Sequence, residues 1–401
     1  MKHYIIIRLK GGLYPKYYLC DLEIIFMSNN WAFLIWIVIV SFFSEMMRGK
    51  RRVLVHGNYQ VRTTWFWAIL FFVPITICSA QRGTWEGDTG TYSLMFQQIP
   101  SDFSAVSEVL ASAERDKGYP LLELLVKSIG GTFRQMVTGI AIFSSCAVVS
   151  TYRKYSEKYA MSIFLFVAGF EYYQWMFNGM RQFIAVSILL LCTPAIIEKK
   201  YKYLILPLCI ATSLHMSVLI IVPCLFVVSG KAFNKRILLS MAVIVVAVLA
   251  LARAGMLNEL IVDLMNETQY DSIVDEYVET MDAGTNIMRV LVYSVPTIIA
   301  IVGLKYIRHE NDPVINFCVN MSVISMCIYV VSMFTSTILI GRLPIYFSIY
   351  NYILLPWEIN HIFERKSATI VSVTLVISYL AYNYFQVAVA HGQPFGLGFF
   401  A

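Results

Sequence analysis

Residues 314–338 read VINFCVNMSVISMCIYVVSMFTSTI and contain no charged side chain. A helix of about 20 apolar residues crosses the hydrocarbon core of a bilayer, so this stretch is long enough to span one. Its apolar residues follow one another without the alternation of a barrel strand, and a spanning backbone is satisfied only in helices or closed barrels. The stretch therefore predicts a membrane-spanning helix.

Comparable apolar runs recur along the chain, in which 58% of the 401 residues are hydrophobic and 14% are charged. This balance leaves too little polar surface for a soluble domain of the same length. We predict an all-α, polytopic integral membrane protein with about twelve transmembrane or re-entrant helices. The predicted spans lie near residues 31–47, 64–80, 132–151, 159–176, 182–197, 202–214, 216–229, 236–254, 286–304, 314–338, 344–357 and 367–389. Those at 202–214, 216–229 and 344–357 are short, which is typical of half-helices or re-entrant segments.

The domain organisation that follows is an N-terminal extension, residues 1–30, and a single membrane domain, residues 31–389. The extension contains no small-residue cleavage site of a signal peptide. Met27 precedes Ser28-Asn29-Asn30, a typical helix start, so a translation start at Met27 is one interpretation of this extension. Residues 81–118 and 255–285 form the two longest loops between spans.

The formal net charge of +6 is concentrated in short loops, which is an orientation signal and not a nucleic-acid-binding signal. By the positive-inside rule these basic loops are cytoplasmic, and the long loops 81–118 and 255–285 are extracytoplasmic. The assignment puts the amino terminus outside although it carries several lysines and arginines. The basic loop residues are Arg48, Lys50, Arg51, Arg52, Arg153, Lys154, Lys199, Lys200, Lys231, Lys235, Arg236, Lys305, Arg308, Arg365 and Lys366.

The cysteines do not form a metal or disulfide pattern. Most of the eight lie within apolar runs, and no CxxC pair occurs. We find no DxD-like sugar-nucleotide motif and no His/Cys ligand spacing. The sequence therefore predicts no metal site and no cofactor.

Six ionisable residues lie inside or beside apolar runs, and in the predicted topology all of them fall near the outer ends of spans. They are Glu171, Arg181, His215, Arg253, Arg289 and Arg342. Arginines there oppose the orientation rule, and their planar donors suit phosphate oxygens, so one interpretation is a site for an anionic ligand in the outer leaflet. The alternative is that the arginines reach lipid phosphates or pair with Glu171 and the acidic loop.

Two further features have both a functional and a structural interpretation. His215 stands between two short apolar segments, where it is either a buried structural histidine or a group that binds phosphate or accepts a proton. The first outer loop contains Trp85-Glu86-Gly87-Asp88-Thr89-Gly90-Thr91-Tyr92, which suits sugar recognition or an interfacial aromatic belt with a turn.

Several short motifs occur together in this chain. They are Asp88 with Tyr92, Lys117-Gly118-Tyr119-Pro120-Leu121-Leu122, Phe177-Asn178-Gly179-Met180-Arg181-Gln182-Phe183-Ile184-Ala185, His215-Met216-Ser217, and Gly341-Arg342 followed by Tyr346. Together they resemble the EpsG family of Wzy-like polysaccharide polymerases over roughly residues 30–360. The FN-x-x-RQ-x-[IL]-A string followed by H-x-S is the most specific part of this resemblance.

The resemblance implies a GT-C/Wzy-like helical bundle with an outward-facing cavity, in the cytoplasmic membrane of a bacterium. It implies a metal-independent glycosyltransferase that polymerises oligosaccharide repeat units carried on undecaprenyl pyrophosphate. The lipid-linked oligosaccharide and membrane lipid would be its ligands, and a flippase and a chain-length regulator its partners. A flippase or transporter of the same lipid, and an O-antigen ligase, remain alternatives, because both also need a basic site.

The resemblance also suggests a role for each site residue. Arg181 and Arg342 would hold the pyrophosphate, with Arg289 in support. His215 would orient the phosphate or accept the acceptor proton, and Asp88 is the alternative base. The glycan would be bound by Tyr92, Tyr119 and Gln182.

Overall fold

The computed structural model describes residues 8–9, 12–13, 19–55, 58–84, 88–113, 115–266, 284–335 and 340–390. Helices account for almost all of this part of the chain, as the continuous apolar runs predict. The predicted sugar-binding residues 85–87 and most of the acidic loop, residues 267–283, lie outside the described residues.

The helices of the first half follow the predicted spans closely. They are α1 (Leu19–Met46), α2 (Trp65–Gln81), α3 (Thr89–Gln98), α4 (Val106–Ser112), α5 (Gly118–Ser128), α6 (Phe133–Tyr155), α7 (Tyr159–Ala168), α8 (Glu171–Phe177) and α9 (Met180–Ile197). Helices α3 and α4 lie where the sequence predicts a long loop, and α5 lies between that loop and the predicted span at 132–151.

The second half is also helical throughout its described residues. Its helices are α10 (Ile205–Leu214), α11 (Ile221–Val228), α12 (Lys235–Arg253), α13 (Leu257–Asn266), α14 (Ile287–Val302), α15 (Leu304–Glu310), α16 (Pro313–Ser332), α17 (Ile345–Ser348), α18 (Asn351–Ile362) and α19 (Arg365–Tyr384). Short 3-10 helices cover Phe103–Ala105, Tyr201–Tyr203 and Met216–Ile220, and a π-helix, Phe385–Ala390, continues α19.

A helix lies at the position of every predicted span, but the predicted count of about twelve crossings is not confirmed. Among the described residues, four helices are long and apolar enough to cross a membrane: α6, α9, α16 and Arg365–Val389. Helices α14 and α15 make a fifth candidate if they form one span, although they are bent by 70° at Gly303. The chain is therefore an all-helical, multi-pass membrane protein with many shorter apolar helices between its long ones.

Helix breaks explain why several predicted spans are short. The predicted span at 159–176 is divided into α7 and α8 by Gly169 and Phe170, and Phe170 has a φ of 65°. The span at 344–357 is divided into α17 and α18 at Ile349 and Tyr350. Such breaks leave polar backbone groups without helical partners, and within a membrane these groups are tolerated only against protein.

The chain before α2 differs from the prediction in two ways. Helix α1 begins at Leu19 and runs through the predicted start at Ser28-Asn29-Asn30, because Leu19–Met27 is itself rich in good helix formers. The basic loop after α1 forms an antiparallel hairpin of β3 (Lys50–Val55) and β4 (Asn58–Thr63), with Lys50 opposite Thr63. A second, very short hairpin pairs β1 (Arg8–Leu9) with β2 (Gly12–Leu13).

The loops predicted to be cytoplasmic meet at one end of the bundle. The Arg62 guanidinium of β4 donates to the Ser156 carbonyl at 2.6 Å, and Glu157 accepts from His361 at 3.0 Å. His361 also faces Glu310 at the end of α15, at 3.7 Å. The other end of the bundle is about 34 Å away, the length of the 23-residue helix α6.

Two apolar clusters make up the core. The larger one joins α1, α2, α6, α7, α9, α16 and α18 and includes the fully buried Tyr152, Phe166 and Tyr350. The smaller one packs α3 and α5 against α6 and α9 at the end opposite the basic loops, through Tyr92, Phe96, Tyr119, Met136, Val137, Ile140, Met180, Ile184 and Leu214. The smaller cluster supports the side chains of the candidate site.

Candidate active site

Arg181 owes its position to the sharp break between α8 and α9. A Cβ on Gly179 would lie 2.6 Å from Cε3 of Trp175, so only glycine lets the chain turn this closely against the indole ring. Arg181 is the second residue of α9, directly after this turn. It therefore projects from a helix end, as the sequence predicts for a residue between two apolar segments.

His215 lies at a second break, where the sequence places it between two short segments. Helix α10 ends at Leu214, and His215 is extended, with φ −159° and ψ 108°, before the 3-10 helix Met216–Ile220 begins. The extended residue turns the Met216 amide away from the α10 ladder. That amide and the imidazole ring are both available to a partner outside the helix.

The partner is Asp116, which the sequence analysis did not single out. Its Oδ2 atom lies 3.3 Å from Nδ1 of His215 and 3.5 Å from Nη1 of Arg181, and its Oδ1 atom accepts from the Met216 amide at 2.9 Å. The carboxylate thus joins the loop before α5 to the starts of α9 and of the helix after His215. We call Asp116, Arg181, His215, Tyr92 and Tyr119 the Asp116 cluster.

Close packing of α5 against α10 brings Asp116 to His215. A Cβ on Gly118 would lie 2.3 Å from Oγ and 2.9 Å from the backbone C of Ser213. Asp116 itself has a φ of 48°, in the left-handed region that aspartate adopts more readily than most residues. The Lys117-Gly118-Tyr119 motif is therefore required by this approach of two backbones.

The surroundings of Asp116 keep it ionised. Burial alone would raise its pKa, but the hydrogen bond and charge of His215, the Met216 amide and the charge of Arg181 together hold the pKa below its ordinary value. Asp116 is only 7% exposed, so this carboxylate acts on its neighbours and not on solvent. Its contact with Nδ1 favours the tautomer in which Nδ1 carries the proton and Nε2 is an acceptor.

Tyr92 and Tyr119 form an aromatic support for Arg181. The centroids of their rings are 5.4 Å apart. The guanidinium carbon of Arg181 lies 5.5 Å from the Tyr92 ring centroid and 5.7 Å from the Tyr119 ring centroid. Helices α3 and α5, which carry these rings, are not among the candidate spans. Burial raises the pKa of both phenols, so both stay neutral, and their faces hold the cation by cation–π attraction.

Of the other sequence-predicted residues, Asp88 lies at the edge of the Asp116 cluster, where its charge reaches the Tyr92 phenol, and Arg289 lies in a different cluster. Asp88 precedes α3 and is exposed, and its backbone amide donates to Oδ1 of Asn178 at 2.7 Å. Arg289 pairs with the buried Glu171, which also accepts from the Tyr329 hydroxyl. Glu171, Arg289 and Tyr329 form a buried charge cluster of their own, as the structural interpretation of these arginines allows.

The structure shows functional candidates that sequence reasoning missed. Asp116 directly precedes the quoted Lys117-Gly118-Tyr119 motif, and that adjacency was the available signal. Glu123, one turn after Tyr119 on α5, is completely buried, with no hydrogen bond to either carboxyl oxygen. Nothing in an amphipathic stretch such as GYPLLELLVKS distinguishes a buried glutamate from an exposed one.

No group of three or more His, Cys, Asp or Glu side chains in the described part of the chain is arranged to hold a metal ion. The Asp116 cluster contributes one carboxylate and one imidazole, and its remaining polar groups are arginine and tyrosine. Such a set suits an anion more than a cation.

Comparison with known proteins agrees with the motif resemblance. The model of the EpsG family matches residues 64–397, most of the chain. The chain belongs to the EpsG family. Together with the apolar helices, membership makes it a membrane protein of polysaccharide biosynthesis. Neither the curated proteins nor the solved structures contain a match.

The motifs behind the EpsG resemblance meet in space although they are far apart in the sequence. The Gln182 amide donates to the Arg342 carbonyl at 3.1 Å, and the Ser217 and Tyr346 hydroxyls are hydrogen-bonded at 2.8 Å. The Arg342 guanidinium lies 5.1 Å from the Trp175 ring centroid, which holds it above α8. The charges of both Arg181 and Arg342 act on the Tyr92 phenol, so the two arginines lie around the same ring.

Proposed function

We propose that this EpsG-family protein polymerises undecaprenyl-pyrophosphate-linked oligosaccharide repeat units into exopolysaccharide, capsule or O-antigen. The observation that carries the proposal is the convergence of Arg181 and Arg342 beside an Asp116–His215 pair, at one end of the bundle. A double phosphate and a sugar hydroxyl are the two groups that such a set of side chains recognises.

The reaction is a glycosyl transfer. The oxygen of an acceptor sugar hydroxyl forms a bond to the anomeric carbon of the growing chain. The bond between that carbon and the pyrophosphate oxygen breaks, and undecaprenyl pyrophosphate leaves with the electron pair. The hydroxyl proton passes to a base, so atoms and charges balance without a further reactant.

We assign the pyrophosphate to Arg181 and Arg342. Negative charge grows on the leaving oxygen as its bond to carbon breaks, and fixed guanidinium donors stabilise it without reorganising. The faces of Tyr92 and Tyr119 hold Arg181, and Trp175 holds Arg342. Arg289 pairs with Glu171, so we assign it to the scaffold of the bundle.

We assign the proton to His215. Asp116 contacts Nδ1, which leaves Nε2 as the acceptor for the sugar hydroxyl. The exposed Asp88 lies one helical turn before Tyr92 on α3, where it remains the alternative base and a group that binds glycan hydroxyls. Gln182 and Tyr119 are buried, so we assign both to holding the arginines in place.

The outer face of the bacterial cytoplasmic membrane is the proposed location of the reaction. Support comes from the basic loops, which gather about 34 Å from the site and are cytoplasmic by the positive-inside rule. A flippase would supply repeat units to this face, and a chain-length regulator is the second proposed partner. The about twelve predicted crossings and an outward-facing cavity belong to the same proposal.

The test is complementation of a deletion strain by single variants of this gene. Arg181→Ala, His215→Ala and Arg342→Ala should each abolish long polymer and leave single repeat units on the surface glycan acceptor or carrier. Arg253→Ala is the matched control, since Arg253 is an exposed arginine in the last turn of α12. Full-length polymer from all three variants at normal protein level would refute the proposal, and loss of exported single units would indicate a flippase.

A further inference from the structure

Helix α5 turns one face toward Arg181, and that face carries Tyr119 and Glu123, four residues apart. Glu123 is 0% exposed, and neither of its carboxyl oxygens has a hydrogen-bond partner. It lies within the smaller apolar cluster of α3, α5, α6 and α9, where water does not reach it. A buried polar side chain left without a partner is rare and calls for an explanation.

Such a carboxyl group is neutral at physiological pH. An ionised carboxylate without hydrogen bonds costs several kcal/mol in an apolar interior, so the group keeps its proton. Burial raises the pKa of Glu123 to about 8, against smaller opposing effects of Arg181 and Lys127. Lys127 is already occupied, because its ammonium donates to the Phe96, Gln97 and Ile99 carbonyls.

Arg181 retains donors for a ligand in this state. Its contact with Asp116 is long, at 3.5 Å, and its side chain is 25% exposed, so part of the guanidinium remains accessible to a ligand. The positive charges of Arg82 and Arg342 also reach the two tyrosines that flank Arg181. With Glu123 neutral, the three arginines outnumber the two carboxylates, Asp116 and Asp88, and the site favours an anion.

We propose that Glu123 is a positioning residue whose proton keeps Arg181 available to a pyrophosphate anion, and that loss of this proton places a carboxylate beside Arg181 and weakens anion binding. The identity of the anion rests on the proposed function, whereas the coupling rests on the position of Glu123 one helical turn from Tyr119, whose ring contacts the Arg181 guanidinium. By linkage, a bound anion also makes Glu123 hold its proton more tightly.

Other groups that face Glu123 do not mimic this effect. The pKa of Tyr92 and of Tyr119 is raised above its ordinary value, and that of Asp116 is lowered, so none of these changes charge near pH 8. The arginines stay charged throughout, and His215 is the same in all the proteins to be compared.

The experiment measures binding of a water-soluble alkyl glycosyl pyrophosphate diester to the purified full chain in detergent. The charge of this diester does not change between pH 6 and pH 9. Affinity of the wild type should fall roughly fivefold between pH 7 and pH 9. Glu123→Gln preserves the shape of the side chain but cannot ionise, so its affinity should not change over that range.

Glu358→Gln is the matched control, because Glu358 on α18 is also completely buried and its carboxyl oxygens also lack hydrogen-bond partners. This variant should show the same pH dependence as the wild type. An unchanged alkaline loss of affinity in Glu123→Gln, or no anion binding by the wild type at pH 7, would overturn the inference. If Glu123→Gln does not fold, infrared spectra of Glu358→Gln are recorded instead between pH 6 and pH 10. The carboxylic-acid band of Glu123 should be lost over that range, and a band that persists unchanged would overturn the inference.

Binding is measured without turnover, so the two proposals can fail separately. Proton-dependent anion binding in a protein that makes no polymer would leave the role of Glu123 intact and refute the polymerase.

Discussion

The Nδ1 atom of His215 lies 3.3 Å from Oδ2 of Asp116, although 99 positions separate the two residues in the sequence. The same carboxylate accepts from the Met216 amide and faces Arg181. Asp116 therefore orients the imidazole and stabilises the helix break that displays it. A histidine that looks isolated in the sequence has a buried carboxylate as its partner in the fold.

Asp116→Asn should slow polymerisation by roughly 100-fold, at the low end of what a positioned base contributes. The amide keeps the size of the side chain, but it removes the negative charge that favours the Nδ1-protonated tautomer of His215. The rate can be measured in membranes supplied with lipid-linked repeat units. Asp102→Asn is the control, since Asp102 is an exposed aspartate between α3 and α4, and it should retain full activity. Equal rates for the two variants would contradict the role of Asp116.

Gly118→Ala should lower activity strongly, because the new Cβ meets Ser213 at 2.3–2.9 Å and pushes Asp116 away from His215. Adding Ser213→Gly should restore part of the activity, since it removes the Oγ and Cβ contacts and leaves the contact with the backbone. Gly139→Ala in α6 is the control, because nothing lies within 4 Å of its Cβ position. Polymer length in cells reports the result, and a fully active Gly118→Ala would show that the close approach is not needed.

Arg289→Met should destabilise the folded protein by about 3–5 kcal/mol, because it leaves Glu171 buried and charged without its partner. The double variant Glu171→Gln with Arg289→Met should recover most of that loss. Thermal unfolding in detergent measures both effects. A variant with normal stability and a specific loss of substrate binding would instead return Arg289 to the anion site, as the sequence predicts.

The pair of His361 and Glu157 should make stability depend on pH at the basic end of the bundle. The hydrogen bond with Glu157, opposed by partial burial and assisted by Glu310, raises the pKa of His361 above its ordinary value. The folded state thus binds the proton more tightly than the unfolded state. The stabilisation is complete below the ordinary histidine pKa of about 6.5 and is lost as pH rises through the raised value.

The measurement is the melting temperature of wild type and His361→Gln between pH 5 and pH 9. At pH 5 the melting temperature of the wild type should exceed that of His361→Gln. At alkaline pH the two melting temperatures should become equal. A difference that is constant with pH would mean that His361 contributes only packing. His309 on α15 offers a matched substitution, His309→Gln, which should leave the pH dependence unchanged.

Much of the helical pattern could be predicted from apolar runs alone. Each predicted span coincides with a helix, and the expected break at His215 is present. The prediction was less accurate between the spans: α3, α4 and the hairpin at Lys50–Thr63 replace predicted loops. Amphipathic helices and hairpins need a surface to pack on, and that surface is not visible in local composition.

The candidate site could be predicted only in part. Charge beside apolar sequence is costly and so indicates function or pairing, and the EpsG motifs singled out Arg181, His215 and Arg342 from the charges placed in this way. The same cost applies to Arg289, and cost alone could not separate it from the others. The structure does so by placing Glu171 against Arg289 and Asp116 between Arg181 and His215.

The sequence by itself determined that this is a helical membrane protein of the EpsG type, and it predicts basic residues at helix ends where the orientation rule does not place them. Both conclusions follow from local quantities: the length of apolar runs, the position of charges and short motifs. Only the tertiary structure decided which charges are neighbours, because Asp116 and Glu123 acquire their roles from helices distant in the chain. Burial and pairing are properties of the packed fold, and they separate one ionised carboxylate from one that keeps its proton.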